Sequence, residues 1–465
     1  MALGRRKREQ QQELWIATGA IDAAPGHVFY QRLNDLLREE GFDEFVEELV
    51  RPHYARGGRP GVPPGIYFRM LFIGYFEGID SQRGIAWRCR DSLSLRQFLG
   101  LSLTDSVPDH SSLPRIRDRL PLEVTHEVFA FVLGMAARRK LISGTQVGVD
   151  ATLLEANAAM KSIVRRDTDE DWKVYVKRLM QEEGVIDEDD EPTDEDMRRF
   201  DRSRKGKKVS NEDWKSPADD DARIVRMKDG RTHFGYKAEH ATCLESEFVL
   251  SASVQSGTAP DTQTLAGAVV DAQVNLMRAG SDAGIREVAA DKGYHSNRQI
   301  TECSEFGLRT YIPEPKSNQG RRWTDKPETV QQSVLNNRRR MSRRKGKRLQ
   351  RLRSERVERG FAHICETGGA RRTWLRGLAR INKRYSMVVA AHNLGLLMRK
   401  LFGCGKPRTA SAVISALQNL FATLRTFLKP IPPQRFATER KWAGIRPGNS
   451  RMFPGERCLR FSTGC

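Results

Sequence analysis

The chain has 465 residues, more than one compact core usually holds, so two or three structural units are expected. Its 79 Lys and Arg against 59 Asp and Glu leave a formal charge of +20, which points to a polyanionic partner, nucleic acid being the commonest. Seven scattered cysteines without a C-x-x-C pair argue against a zinc finger or disulfide framework, and the most apolar stretch, residues 387–398, is too short to span a bilayer. No N-terminal signal pattern is visible, and a soluble, cytoplasmic protein without a membrane partner is expected.

From about Ile16 to Leu120 the pattern is helical. Apolar residues recur at three and four in Val28, Phe29, Leu33, Leu36 and Leu37, and again after the Gly61-Val62-Pro63-Pro64 turn in Ile66, Met70, Leu71 and Tyr75. Short helices follow over 81–90 and 93–99, and another opens at Asp109-His110-Ser111-Ser112, which supplies capping residues. Exposed arginines on such helices (Arg83, Arg88, Arg90, Arg96) suit a helix-turn-helix module as well as an ordinary bundle. An all-helical N-terminal domain over 1–125 is expected.

The period then changes to two. Residues 146–151 alternate as a strand, with Asp150 on the face opposite Val147 and Val149. Residues 156–230 interrupt the pattern, acidic and then basic, and read as a solvated insertion. Strands resume over 232–242 and 248–254. A helix capped by Asp261 runs to Gly280, then a strand (287–290), a helix (297–306) and a strand (308–312). Helices resume at about Leu349 and run on through Ala379 to Phe402. Beyond 403 a helix near 414–428 and a poorly ordered tail are expected. The middle of the chain, 126–402, is thus α/β: a mixed sheet whose first three strands form a meander, in the order of the ribonuclease H-like fold.

Three carboxylates fall where such a sheet can bring them together. Asp150 lies inside the first strand, where an unpaired charge is costly. Asp291 closes the fourth strand, and Glu358 lies on the helix after the last one. Carboxylates that converge repel, so each pKa rises unless cations neutralise them. Two magnesium ions would do so, and would also catalyse in-line displacement at a phosphodiester. Helix geometry prefers Glu358 to Glu355 as third ligand. Val357, Phe361 and Ile364 form the stripe that packs on the sheet, with Glu358 roughly 90° and Glu355 roughly 150° from its centre. Glu355 is expected to pair with Arg351 or Arg359 instead.

The motifs Val147-Gly148-Val149-Asp150-Ala151-Thr152, Arg231-Thr232-His233-Phe234-Gly235-Tyr236-Lys237 and Asp291-Lys292-Gly293-Tyr294-His295-Ser296 resemble those of bacterial insertion-sequence transposases of the DDE class. So do Val357-Glu358-Arg359-Gly360-Phe361 and residues 366–372, and the likeness runs from about Asp43 to Phe402. The resemblance implies a catalytic triad of Asp150, Asp291 and Glu358 with Mg2+ or Mn2+ as cofactor. It implies terminal inverted repeats as substrate, an N-terminal domain that binds them, target DNA as second partner, a homodimer that pairs two ends, and a place at the bacterial nucleoid.

A run without acidic residues leads into the helix of Glu358: Arg338, Arg339, Arg340, Arg343, Arg344, Lys345, Lys347 and Arg348. Phosphate contacts there would lay DNA across the metal ions, adding affinity but little sequence information. The alternatives are a non-transposing nuclease of the same fold, and a DNA-binding regulator or inactive relic that uses the N-terminal helices alone.

Overall fold

The structure is a computed structural model that describes residues 27–408 except 56, 59–60, 206–210, 317–322 and 325. The helix and tail expected beyond 408 lie outside the described residues, as do positions 1–26.

The described residues begin with α1 (Val28–Glu39), α2 (Phe42–Val50), α3 (Pro64–Glu77), α4 (Gln82–Asp91), α5 (Leu93–Phe98), α6 (Ser112–Arg119) and α7 (Leu122–Arg138). α1 buries Phe29, Leu33, Leu36 and Leu37, one helical stripe, and Gly41 at φ 66° turns the chain sharply into α2. Hydroxyl caps open the short helices: Ser81 accepts from the Gly84 amide at 3.0 Å and Ser92 from the Leu95 amide at 3.3 Å. The sequence pattern does not predict α7. Its ten buried residues surround the helix rather than lining one face, so it shows little 3.6-residue contrast. Position 125 falls inside it, and its side chains join one apolar core with those of α1–α6 and of the sheet.

Next come β1 (Gln146–Glu155), β2 (Val164–Arg165), α8 (Trp172–Glu182), α9 (Asp194–Ser203), β3 (Trp214–Lys215) and β4 (Arg223–Arg226). They are followed by β5 (Thr232–Cys243), β6 (Val249–Ser256), α10 (Asp261–Arg278), β7 (Glu287–Ala290), α11 (Asn297–Glu305) and β8 (Arg309–Tyr311). The last described elements are α12 (Glu328–Ser342), α13 (Arg344–Phe361) and α14 (Leu378–Phe402).

The main sheet runs β6-β5-β1-β7-β8. β1 is antiparallel to β5 and β5 to β6, while β1, β7 and β8 are parallel. β4 shares the outer edge of β5, pairing with 232–235 where β6 pairs with 236–242. α14 packs on β6, α7 and α3, and its apolar stretch is buried. No single helix among the described residues is long and apolar enough to cross a membrane.

Three expectations need correction. Residues 156–230 are not merely a solvated insertion: Val176 and Met180 of α8 and Met197 of α9 form a small core of their own, Thr193 and Asp196 close a capping box, and β4 joins the main sheet. Helix resumes at Glu328 rather than Leu349, because Arg and Lys are good helix formers even where no apolar stripe is visible. Asp261 is the first residue of α10 and not its cap, and its carboxylate pairs with Lys237.

Candidate active site

The parallel ladder of β1 and β7 matches Val149 with Ala290. Asp150 and Asp291 are therefore the next residues on two neighbouring strands, one still inside β1 and the other just past the end of β7. α13 crosses β1 on the face of Gly148. A Cβ at Gly148 would stand 3.0 Å from the Val357 side chain and 3.2 Å from Arg353 Cγ. Glu358 follows Val357 and is exposed.

Asp150 is held at both oxygens. Its Oδ1 accepts from the amide of Ala151 at 2.9 Å, and its Oδ2 accepts from Arg353 Nη1 at 2.5 Å. Burial pushes the Asp150 carboxyl above its ordinary range. Arg353 and the Ala151 amide pull it back, while the charges of Asp291 and Glu358 push it further up. The three carboxylates thus share one electrostatic field. Asp291 Oδ1 accepts from the Gly293 amide, and Glu358 Oε1 accepts from the Ser354 hydroxyl at 2.9 Å.

Among the described residues no three His, Cys, Asp or Glu side chains form a ready-made metal cage. In donor type and charge the three carboxylates nevertheless fit a hard divalent ion. All are oxygen ligands, and the buried one is destabilised by the other two and already draws a cation.

A second polar layer, which the sequence reading does not single out, lies on the opposite face of β5. Lys237 and Glu239 are buried there, two residues apart. Lys237 Nζ pairs with Asp261 at 2.5 Å and donates to the Ala259 carbonyl at 2.9 Å. Glu239 accepts from Tyr294 at 2.8 Å and from Thr264 at 2.5 Å. Gly293 leaves room for two carboxylates, since a Cβ there would stand 2.9 Å from oxygens of both Asp261 and Asp291. The signal for this layer is the one that exposes Asp150: charged residues alternating inside a strand. Beside Ala151 an open cleft is lined by Thr152, Arg226, Lys228, Lys237, Asp261 and Arg371.

The basic run lies on α12 and α13, and its members differ. Arg338 pairs with Glu314 at 3.0 Å and Lys345 with Glu287 at 2.6 Å. Half-buried Arg340 donates to the Thr310 carbonyl at 3.0 Å. Arg339, Arg343, Arg344, Lys347 and Arg348 are exposed. In the N-terminal part Arg88 pairs with Glu77, Arg90 with Asp109, and Arg96 donates to the carbonyls of Ser102, Leu103 and Asp105. Arg83 is exposed.

Two family models match the chain. Residues 21–119 match the transposase domain DUF772, and residues 292–398 match the transposase DDE domain. The second match begins one residue past Asp291 and spans the helix of Glu358. Both matches are to transposase domains, one of them a DDE domain, and together they support an insertion-sequence transposase of the DDE class. A DDE domain implies a ribonuclease H-like fold, and this family generally uses divalent metal ions. No curated protein and no solved structure matches the chain.

Proposed function

We propose that this protein binds the terminal inverted repeats of an insertion sequence and catalyses metal-dependent strand cleavage followed by strand transfer. The observation that carries the reading is the state of Asp150: a carboxyl on the central strand, raised by burial and by the charges of Asp291 and Glu358. A carboxylate in such surroundings is poised to take a cation.

Asp150, Asp291 and Glu358 would hold two divalent ions, Mg2+ or Mn2+. Bound there, the ions would activate the attacking oxygen and stabilise the leaving one. In cleavage a water oxygen bonds to the scissile phosphorus as the 3′-oxygen leaves. In transfer the freed 3′-hydroxyl would lose its proton and bond to the phosphorus of a target phosphodiester as the target's own 3′-oxygen leaves. The protein's own part is to hold three carboxylates in fixed relation. Asp150 is fixed by the β1–β5 and β1–β7 ladders, and Asp291 by the Gly293 amide and the Tyr294 anchor. Exposed cations on α12 and α13 would bind DNA phosphates ahead of Glu358, and the N-terminal helices would read the repeats. A homodimer would bring the two element ends together.

Asp150→Ala and Asp291→Ala test this directly. Each should abolish nicking of a labelled element end while leaving DNA binding nearly intact. Cleavage by either variant at more than a few per cent of the normal rate would refute the assignment. Joining of a pre-cut end to target DNA distinguishes a transposase from a nuclease of the same fold.

A further inference from the structure

The contact that holds Asp150 comes from α13, five residues before Glu358. Arg353 Nη1 reaches Asp150 Oδ2 at 2.5 Å, with 12% of the arginine side chain and 20% of the aspartate side chain exposed. Room for the arginine stem is provided at Gly148, two residues earlier on the same face of β1, where any Cβ would crowd Arg353 Cγ. Arg353 Nε is buried and has no hydrogen-bond partner among the described residues. The guanidinium therefore commits part of its donor set to Asp150 and keeps part unused.

A cation supplied by the protein takes the same oxygen that a metal ion needs. We propose that Arg353 is the resting counter-ion of Asp150 and competes with the divalent ion for that carboxylate, so that the ion loads as the arginine leaves. The proposal rests on the reading of Asp150 as a metal ligand. An arginine released from Asp150 presents a planar fork of N–H donors, the geometry that matches a phosphate. The phosphate at hand is that of the DNA. Engaging it removes the metal's rival, so DNA and metal each tighten the binding of the other by the same factor. Arg353 is in this sense a positioning residue that links occupancy of the carboxylates to the presence of substrate.

Mn2+ binding to the full-length protein, followed by electron paramagnetic resonance at pH 8, reads this step without any reaction. Arg353→Gln is expected to bind Mn2+ roughly tenfold more tightly than wild type, within the usual range of coupling between sites. Arg353→Met keeps the apolar stem against Gly148 while removing the charge, and should behave likewise if the Gln variant folds poorly. Arg353→Lys, which retains a cation, should stay close to wild type. Adding a short DNA duplex should tighten Mn2+ binding to wild type several-fold and leave Arg353→Gln unmoved. Unchanged or weaker affinity in both charge-removing variants overturns the competition, and equal tightening by DNA in wild type and Arg353→Gln overturns the coupling. Mn2+ binding that survives Asp150→Asn undiminished is a different failure, that of Asp150 as a ligand.

Discussion

Tyr294 donates its phenolic proton to Glu239 at 2.8 Å, which ties the turn after Asp291 to the second strand of the meander. Both groups are buried, and burial together with the Glu239 charge pushes the tyrosine's ionisation far above its usual range. Glu239 also accepts from Thr264 at 2.5 Å, so β5, α10 and the Asp291 turn meet at one carboxylate.

Tyr294→Phe removes one donor from that buried acid and nothing else. The expected cost is about 1–3 kcal/mol of stability, read from urea unfolding. Cleavage should fall as well, because the turn that presents Asp291 loses its anchor. A variant as stable as wild type would mean that the bond does not stabilise the fold.

The basic run divides into cations that tie elements together and exposed ones with no ion pair among the described residues, which sharpens its test. Arg339→Gln, Arg343→Gln and Arg344→Gln together should lower the slope of log affinity against log salt by about 2.7, near 0.9 for each phosphate left without its arginine. Arg340→Gln should instead destabilise the fold, since its guanidinium ties α12 to the Thr310 carbonyl of β8. A full effect of Arg340→Gln on the slope with no loss of stability would contradict this division.

What can be read from sequence is what repeats with contrast. Asp150 stands out because residues 146–151 alternate in sequence around it, and Asp291 because an apolar strand ends on it. α7 gives no such signal because it is apolar nearly all round, and α12 gives none because the face it buries carries Ser333 and Asn337 beside Val334, so no apolar stripe is visible. The small core of Val176, Met180 and Met197 is hidden by the acidic residues around it. Arg353 cannot be assigned to Asp150 from sequence at all, since the two lie 203 residues apart and meet only when α13 packs on the sheet.

His240 faces Asp150 across the β1–β5 ladder, stacked on Phe361 at 4.0 Å and bonded to the Tyr385 hydroxyl at 2.8 Å. Burial lowers its pKa from the ordinary 6.5 to about 3. The unfolded chain therefore takes up a proton near pH 6.5 that the folded chain refuses until about pH 3. Stability contributed by the neutral ring is complete above pH 6.5 and is lost as pH falls toward 3. His392, lowered in the same direction by burial, adds to the effect. Between pH 6 and 4, His240→Phe should flatten the dependence of unfolding free energy on pH by up to about 1.4 kcal/mol per pH unit. Parallel pH profiles for the variant and wild type would show that His240 titrates normally.

The choice between Glu358 and Glu355 rests on what each carboxylate does in the helix they share. Glu355 is paired with Arg359, one turn further on, at 2.5 Å, and both side chains are well exposed. Exposed pairs of this kind contribute little, so Glu355 is a surface residue with its charge already answered. Glu358 accepts from the Ser354 hydroxyl at 2.9 Å, and its charge is among those that raise Asp150. It follows Val357, which is fully buried against β1, so its backbone is fixed at the border between sheet and solvent. The charge felt at Asp150 is the property a third metal ligand needs. Glu358→Gln should therefore eliminate Mg2+-dependent nicking of a labelled element end, since the amide keeps the shape but loses the charge. Glu355→Gln should change the rate by less than about tenfold, equivalent to about 1.4 kcal/mol in the barrier. Assaying the two variants across a Mg2+ titration separates weakened metal binding from a lost reaction step. A Glu358→Gln variant that still nicks, beside a Glu355→Gln variant that does not, would move the third ligand one turn up α13.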